Sequence, residues 1–196
     1  MKCTMRDIAD IEIGLVLSRK KAAGESAHNY QKLSLKSLGE DGALDSARNE
    51  TYFAAEPLNG HFLTRENMVV IKLFTPLNPV VIQKGEEGFI IPSQMAGITV
   101  KKEVHPEYLQ YFLSLEETNR YLLSRASGAV MRFISIKTLS ELVLDIPPLK
   151  QQEQFCSLYR LHRRKKALTK ELAALEDERI RAIFETIGRK GHLNGK

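Results

Sequence analysis

"SGAVMRFISIKTLSELVLDIPPLKQQEQF", residues 127–155, decides how this chain is organised. Ser127-Gly128 is a turn pair, and "AVMRFISI" (129–136) has the β-formers of a strand. In "TLSELVLDIPPL" (138–149) a short helical turn gives way to a second strand. Pro147 closes that strand by removing a ladder donor, and Pro148 sets φ for a helix start. From Leu149 to Ile187 neither Gly nor Pro interrupts the chain, which predicts one helix. Leu158, Leu161, Leu168, Leu172 and Leu175 fall on a 3-4 heptad seam that also carries Lys165 and Arg179, and Gly188 offers a stop. At 1.5 Å per residue such a helix spans about 58 Å. A 150-residue domain has a radius of gyration of only about 15 Å, so the helix needs a partner.

Upstream of this stretch the pattern is mostly β. "DIADIEIGLVL" (7–17) reads as a short strand ending near Gly14, followed by a basic loop over 18–29. "YQKLSLKSL" (30–38) alternates loosely, and "GEDGALD" turns the chain. "MVVIKLF" (68–74), "PVVIQ" (79–83), "GFIIP" (88–92) and "GITVKKE" (97–103) are β-rich segments split by Pro or Gly. Together they predict a small, mostly antiparallel sheet. The period then changes. "HPEYLQYFLS" places Pro106 in a first helical turn, with Leu109, Phe112 and Leu113 on one face. Ser114 and Glu117 have capping-box spacing for a second helix.

Residues 1–150 carry 18 Lys+Arg against 18 Asp+Glu, whereas 151–196 carry 11 against 6. The excess positive charge therefore sits in the tail, much of it in "HRRKK" (162–166). No apolar run approaches the roughly 20 residues of a membrane span. "MKCTMRDIADIEIG" has no apolar signal core, so a cytoplasmic protein is expected. Cys3 and Cys156 have no close spacing and read as free thiols. There is no GxGxxG, Walker loop, HExxH or metal-ligand spacing, and the five histidines are scattered singly, as surface or helix-cap residues. Ile146 and Leu149 stand where an Asn/Asp-Pro-Pro-aromatic methyltransferase loop needs an amide or acid and an aromatic ring. No catalytic residue, metal site or bound cofactor is expected on this chain.

A compact α/β region with "YLQYFLS", then the quoted stretch, then a long helix resembles the specificity subunits of Type I restriction–modification systems. Gly128, Ile134–Leu139, Ile146-Pro147-Pro148-Leu149 and Gln152 match that family's turn, helix–strand and Pro-Pro-Leu-x-x-Gln elements, and "DIADIEIG" is similar to its usual start. The resemblance is strongest over 105–160. Full-length members carry two recognition domains and two helices; this chain has one of each and resembles a half subunit.

The resemblance implies an α+β fold. A target recognition domain over 1–148 holds a small antiparallel sheet and flanking helices, followed by one long coiled-coil helix over 149–188 and a tail over 189–196. It implies a non-enzymatic, DNA-reading role in a complex whose modification subunits carry S-adenosylmethionine. A restriction subunit would add ATP- and Mg-dependent cleavage. A homodimer through Leu158, Leu161, Lys165, Leu168, Leu172, Leu175 and Arg179 would place two recognition domains on double-stranded DNA. Candidate DNA contacts are Arg19, Lys20, Lys21, Lys84, Gln94, Lys101, Lys102, Arg125 and Arg132, because Arg forks onto guanine, Gln onto adenine, and Lys meets phosphate. The charge balance of 1–150 suits an alternative, a regulator or decoy that keeps the subunit-docking surfaces without reading sequence.

Overall fold

The structure is a computed structural model that describes the backbone of residues 2–24, 28–128 and 132–193, with side chains as far as residue 186. The chain divides into two compact units, Met1–Cys156 and Ser157–Lys196.

The first unit is built on a four-stranded antiparallel sheet. β2 (Ala9–Ile13) pairs with β7 (Met95–Val100), β7 with β5 (Val69–Lys72), and β5 with β6 (Val80–Val81). β5 reads as an unbroken apolar run because both faces of the sheet are covered. Val69 and Ile71 pack in one core cluster and Val70 in another, as period-2 alternation requires. The first cluster is covered by α1 (Met5–Ile8), α2 (Pro106–Ser114), α3 (Glu116–Ser124) and α4 (Ile136–Ser140). On the other face Leu33, Leu38, Met68, Ile82, Ile91 and Met95 are buried. Two small antiparallel pairs complete the unit: β1 (Lys2–Thr4) with β8 (Val143–Asp145), and β3 (His28–Lys32) with β4 (Glu50–Ala54).

α5 runs from Leu149 to Leu193. Its first two turns belong to the first unit and are locked there by Gln152, whose side chain is fully buried. Gln152 Oε1 accepts the His105 N–H at 2.8 Å, and Nε2 donates to the Glu103 and Pro147 carbonyls at 2.9 Å each. Three backbone groups from two separate stretches of chain are thereby satisfied by one amide. Phe155 adds aromatic contacts to Tyr108 and Tyr111, with centroids 5.7 and 4.6 Å away.

Several expectations are met and others corrected. The turn–strand reading of 138–149 holds as α4 and β8, and Leu109 and Leu113 are buried on α2. Gly188 does not stop α5, since a glycine within a helix costs only about 1 kcal/mol. Ser114 caps nothing: Leu115 is the N-cap of α3, and Ser114 Oγ donates to the Tyr111 carbonyl at 2.7 Å. The strand predicted over 30–38 ends at Lys32, where Ser34 and Ser37 hydrogen-bond into a turn. "GFIIP" makes isolated bridges through Ile90 and Pro92 rather than a strand, Pro92 having no N–H to extend a ladder. Of the strand predicted over 129–136, residues 129–131 lie outside the described residues; Phe133 contributes a bridge to Ser127. Neither cysteine forms a disulfide, and His105 is a helix cap.

Candidate nucleic-acid interface

One groove of about 450 Å³ collects polar and basic side chains from separate elements. Lys32 comes from the end of β3, Lys36 from the turn after it, Arg48 from the 3-10 turn Ser46–Arg48, and Gln94 from the turn before β7. The floor is apolar, formed by Leu33, Pro92 and Met95 among others. Three cations against Glu50 leave the groove net positive. That balance suits a phosphate backbone, and an amide on its wall suits a base edge.

The charges are held differently. Lys32 Nζ donates to Glu50 Oε2 at 2.6 Å across the β3–β4 register, which holds the Glu50 carboxyl below its usual range. Arg48 Nε donates to Asp45 Oδ2 at 2.6 Å. Among the described residues Lys36 has no ion pair, and the Gln94 amide has no hydrogen bond, so both are available to a ligand.

The turn that carries Gln94 is seated by main-chain groups. Gly14 N–H donates to the Met95 carbonyl at 3.0 Å, Leu15 N–H to Ile91 at 2.7 Å and Ser93 N–H to Leu15 at 2.8 Å. Gly14 is required by this approach: a Cβ there would lie 2.2 Å from the Pro92 carbonyl oxygen. Leu73 N–H closes the other side onto the Gln94 carbonyl at 2.8 Å.

The remaining sequence candidates do not join this groove. Arg19 and Lys21 are exposed, Lys21 bridging to Ala54 of β4, and Lys20 is ion-paired with Glu56. Lys84 is exposed ahead of the Gly85 turn. Lys101 Nζ caps the end of α1 by donating to the Asp7 carbonyl at 2.7 Å. Lys102 lines a second depression with Glu103 and the Ile146–Leu149 corner. Arg125 stacks on Tyr121, 4.8 Å from the ring centroid, and Arg132 is exposed. Sequence reasoning missed Lys32, Lys36 and Arg48. The polar alternation of "YQKLSLK" carried the first two, but only the intervening leucines were weighed.

In α5 every seam leucine is exposed, from 46% at Leu168 to 69% at Leu161. Ile183 falls on the same stripe at 3.6 residues per turn, with the exposed Ile180 and Phe184 beside it. The apolar stripe thus extends beyond the seam predicted from the leucines. No helix among the described residues is long and apolar enough to cross a membrane.

No protein-family model and no curated protein matches the sequence. Solved structures do match the fold. A chain from a study of complex assembly and conformational transition in the type I R-M system superposes with TM-score 0.67 at 16% identity, over 93% of this chain and 43% of that one. The HsdS subunit of Thermoanaerobacter tengcongensis gives 0.60 at 16% identity, over 86% and 38%. The Type I S subunit of M. genitalium gives 0.53 at 15%, over 91% and 43%. The chain therefore has the α+β fold of Type I restriction–modification S subunits, and it spans only about two fifths of their length.

Proposed function

We propose that this chain is the DNA-specificity component of a Type I restriction–modification system, in half-subunit form. The observation that carries the reading is the fold: 93% of this chain superposes on part of a chain of a type I R-M system with TM-score 0.67. Two copies would present two such units. The exposed stripe of α5 is the natural pairing surface, because unpaired it leaves five leucines in water. Each burial contributes about 1.5–3 kcal/mol. Lys165 and Arg179 on the seam lower its stability and favour one register.

In the pair, each recognition unit reads one half of a bipartite site, and two-fold symmetry makes the site an inverted repeat about a non-specific spacer. Gln94 presents a base-reading amide while Lys36 and its neighbours neutralise phosphates. Catalysis belongs to partners: modification subunits that bind S-adenosylmethionine and flip an adenine for methylation, and a restriction subunit using ATP. The chain itself performs no chemistry in this scheme.

The test is methylated-base sequencing of DNA from cells expressing the chain with its cognate modification subunit. N6-methyladenine in a symmetric, interrupted motif is expected. A non-palindromic motif sinks the symmetric pair, and methylation unchanged by the chain's presence favours a docking protein that reads no sequence.

A further inference from the structure

Three donor atoms of different chemistry converge where α5 begins. His105, the N-cap of α2, presents Nδ1, and Cys156, fully buried in the second turn of α5, places Sγ 3.5 Å from it. A Glu107 carboxylate oxygen completes the set, all three ligand atoms lying within 4.8 Å of one another. We propose that His105, Glu107 and Cys156 form a mononuclear site for a divalent transition ion, zinc by the chemistry of its donors.

The sulfur–nitrogen spacing is that of two ligands around one ion. Zinc bonded tetrahedrally to sulfur at about 2.3 Å and to nitrogen at about 2.05 Å holds those two atoms about 3.6 Å apart. The observed separation is 3.5 Å. A thiol hydrogen bond to the imidazole would account for that one approach, but it does not call for a carboxylate within reach of both atoms. The charges also balance: one thiolate and one carboxylate neutralise a dication, with imidazole as the neutral third ligand. A mixed N, S and O set suits zinc over the harder magnesium or calcium. Three protein ligands leave a fourth position for water.

Binding breaks the S–H bond, releases that proton to solvent and forms an S–metal bond, with no change of oxidation state. Nδ1 exchanges its contact with the Glu107 N–H for the metal. At 3.3 Å that contact is at the weak end of hydrogen bonding, so little is lost. His105 and Glu107 are only half-buried and provide the entry path, while buried Cys156 is kept from oxidants. The ion would bind the start of α2 to α5 across 51 residues of sequence, beside the Gln152 bridge. No spacing rule could have revealed ligands so far apart.

The experiment titrates the chelator-treated full chain with cobalt(II), then displaces it with zinc. Expected are a thiolate-to-cobalt charge-transfer band saturating at one ion per chain, its loss on adding zinc, and a zinc-dependent rise in melting temperature. Cys156→Ser and His105→Asn abolish the band and the rise. Asn keeps a good N-cap acceptor, so the second variant stays folded, as its unchanged metal-free melting curve should show. Cys3→Ser leaves both signals intact. Absence of a stoichiometric band, a band that survives His105→Asn, or one lost with Cys3→Ser overturns the site. None of these readouts depends on DNA or on a modification subunit.

Discussion

Gln152 and His105, 47 residues apart, are joined by a 2.8 Å bond from a backbone N–H to a fully buried side-chain oxygen. That bond fixes the first turns of α5 to the start of α2 and explains why a glutamine follows the Pro-Pro-Leu corner. Gln152→Ala would strand the His105 N–H and the Glu103 and Pro147 carbonyls together. A loss of about 3 kcal/mol is expected, read as a lower urea midpoint. Gln152→Glu keeps the acceptor but loses both donated bonds and should also destabilise. A midpoint unchanged in both variants would refute the role assigned to the amide.

The pairing of α5 is tested by Leu168→Glu with Leu172→Glu. Both residues are exposed in the single chain, at 46% and 57%, so the monomer should keep its helix content. In a symmetric dimer the two changes place four carboxylates in the seam. Sedimentation at micromolar concentration should then show dissociation at least about 100-fold easier, equivalent to about 2.7 kcal/mol. A wild-type chain that is already monomeric removes the premise.

In the groove, Gln94 and Lys36 should fail differently. Gln94→Ala is expected to cost about 1–3 kcal/mol of discrimination at one base pair, seen as a relaxed position in the methylated motif. Lys36→Ala should weaken binding to all duplexes alike and reduce the salt slope of the assembled complex by about 1. If both variants retain wild-type motif and salt slope, DNA contacts lie elsewhere on the unit.

Acid stability has an identifiable contributor in Asp7. Thr4 Oγ1 and the Thr4 N–H both donate to Asp7 Oδ2, at 2.5 and 2.8 Å, and hold its pKa below the ordinary 3.8. The side-chain bond is the larger cause. A depressed folded pKa stabilises the fold above the unfolded value and is lost as pH falls through the folded one. Asp7→Asn should therefore be less stable than wild type near neutrality. The gap should narrow as pH falls below the ordinary carboxylate value of 3.8 and through the lower folded pKa, in urea titrations followed by circular dichroism. A gap independent of pH would assign the effect to packing.

Long, strongly patterned segments were legible in the sequence, and short ones were not. β5 declared itself through "VVIK", α2 through Pro106 and its apolar face, and the corner before α5 through its two prolines. α1 has four residues, too few for a period. β4, "ETYFA", gives no strand signal although Tyr52 and Ala54 alternate inward, because polar neighbours dilute the pattern. The false cap at Ser114 had correct spacing, but the helix starts one residue later than that cap requires. Of the groove, Gln94 could be named beforehand because it flanks the Gly85–Pro92 stretch and carries an amide that suits adenine. Lys32, Lys36 and Arg48 meet it only through the β3–β4 hairpin, and such a meeting is a property of tertiary structure.

The bonds that seat the Gln94 turn run between main-chain atoms of Gly14, Leu15, Ile91, Ser93 and Met95. Nothing in that anchorage depends on which side chain position 94 carries. On the proposed DNA-reading role, substitutions at the exposed position 94 would leave this main-chain anchorage in place while changing which base edge is met. Gly14 cannot drift in the same way, because even a methyl group there collides with the Pro92 carbonyl.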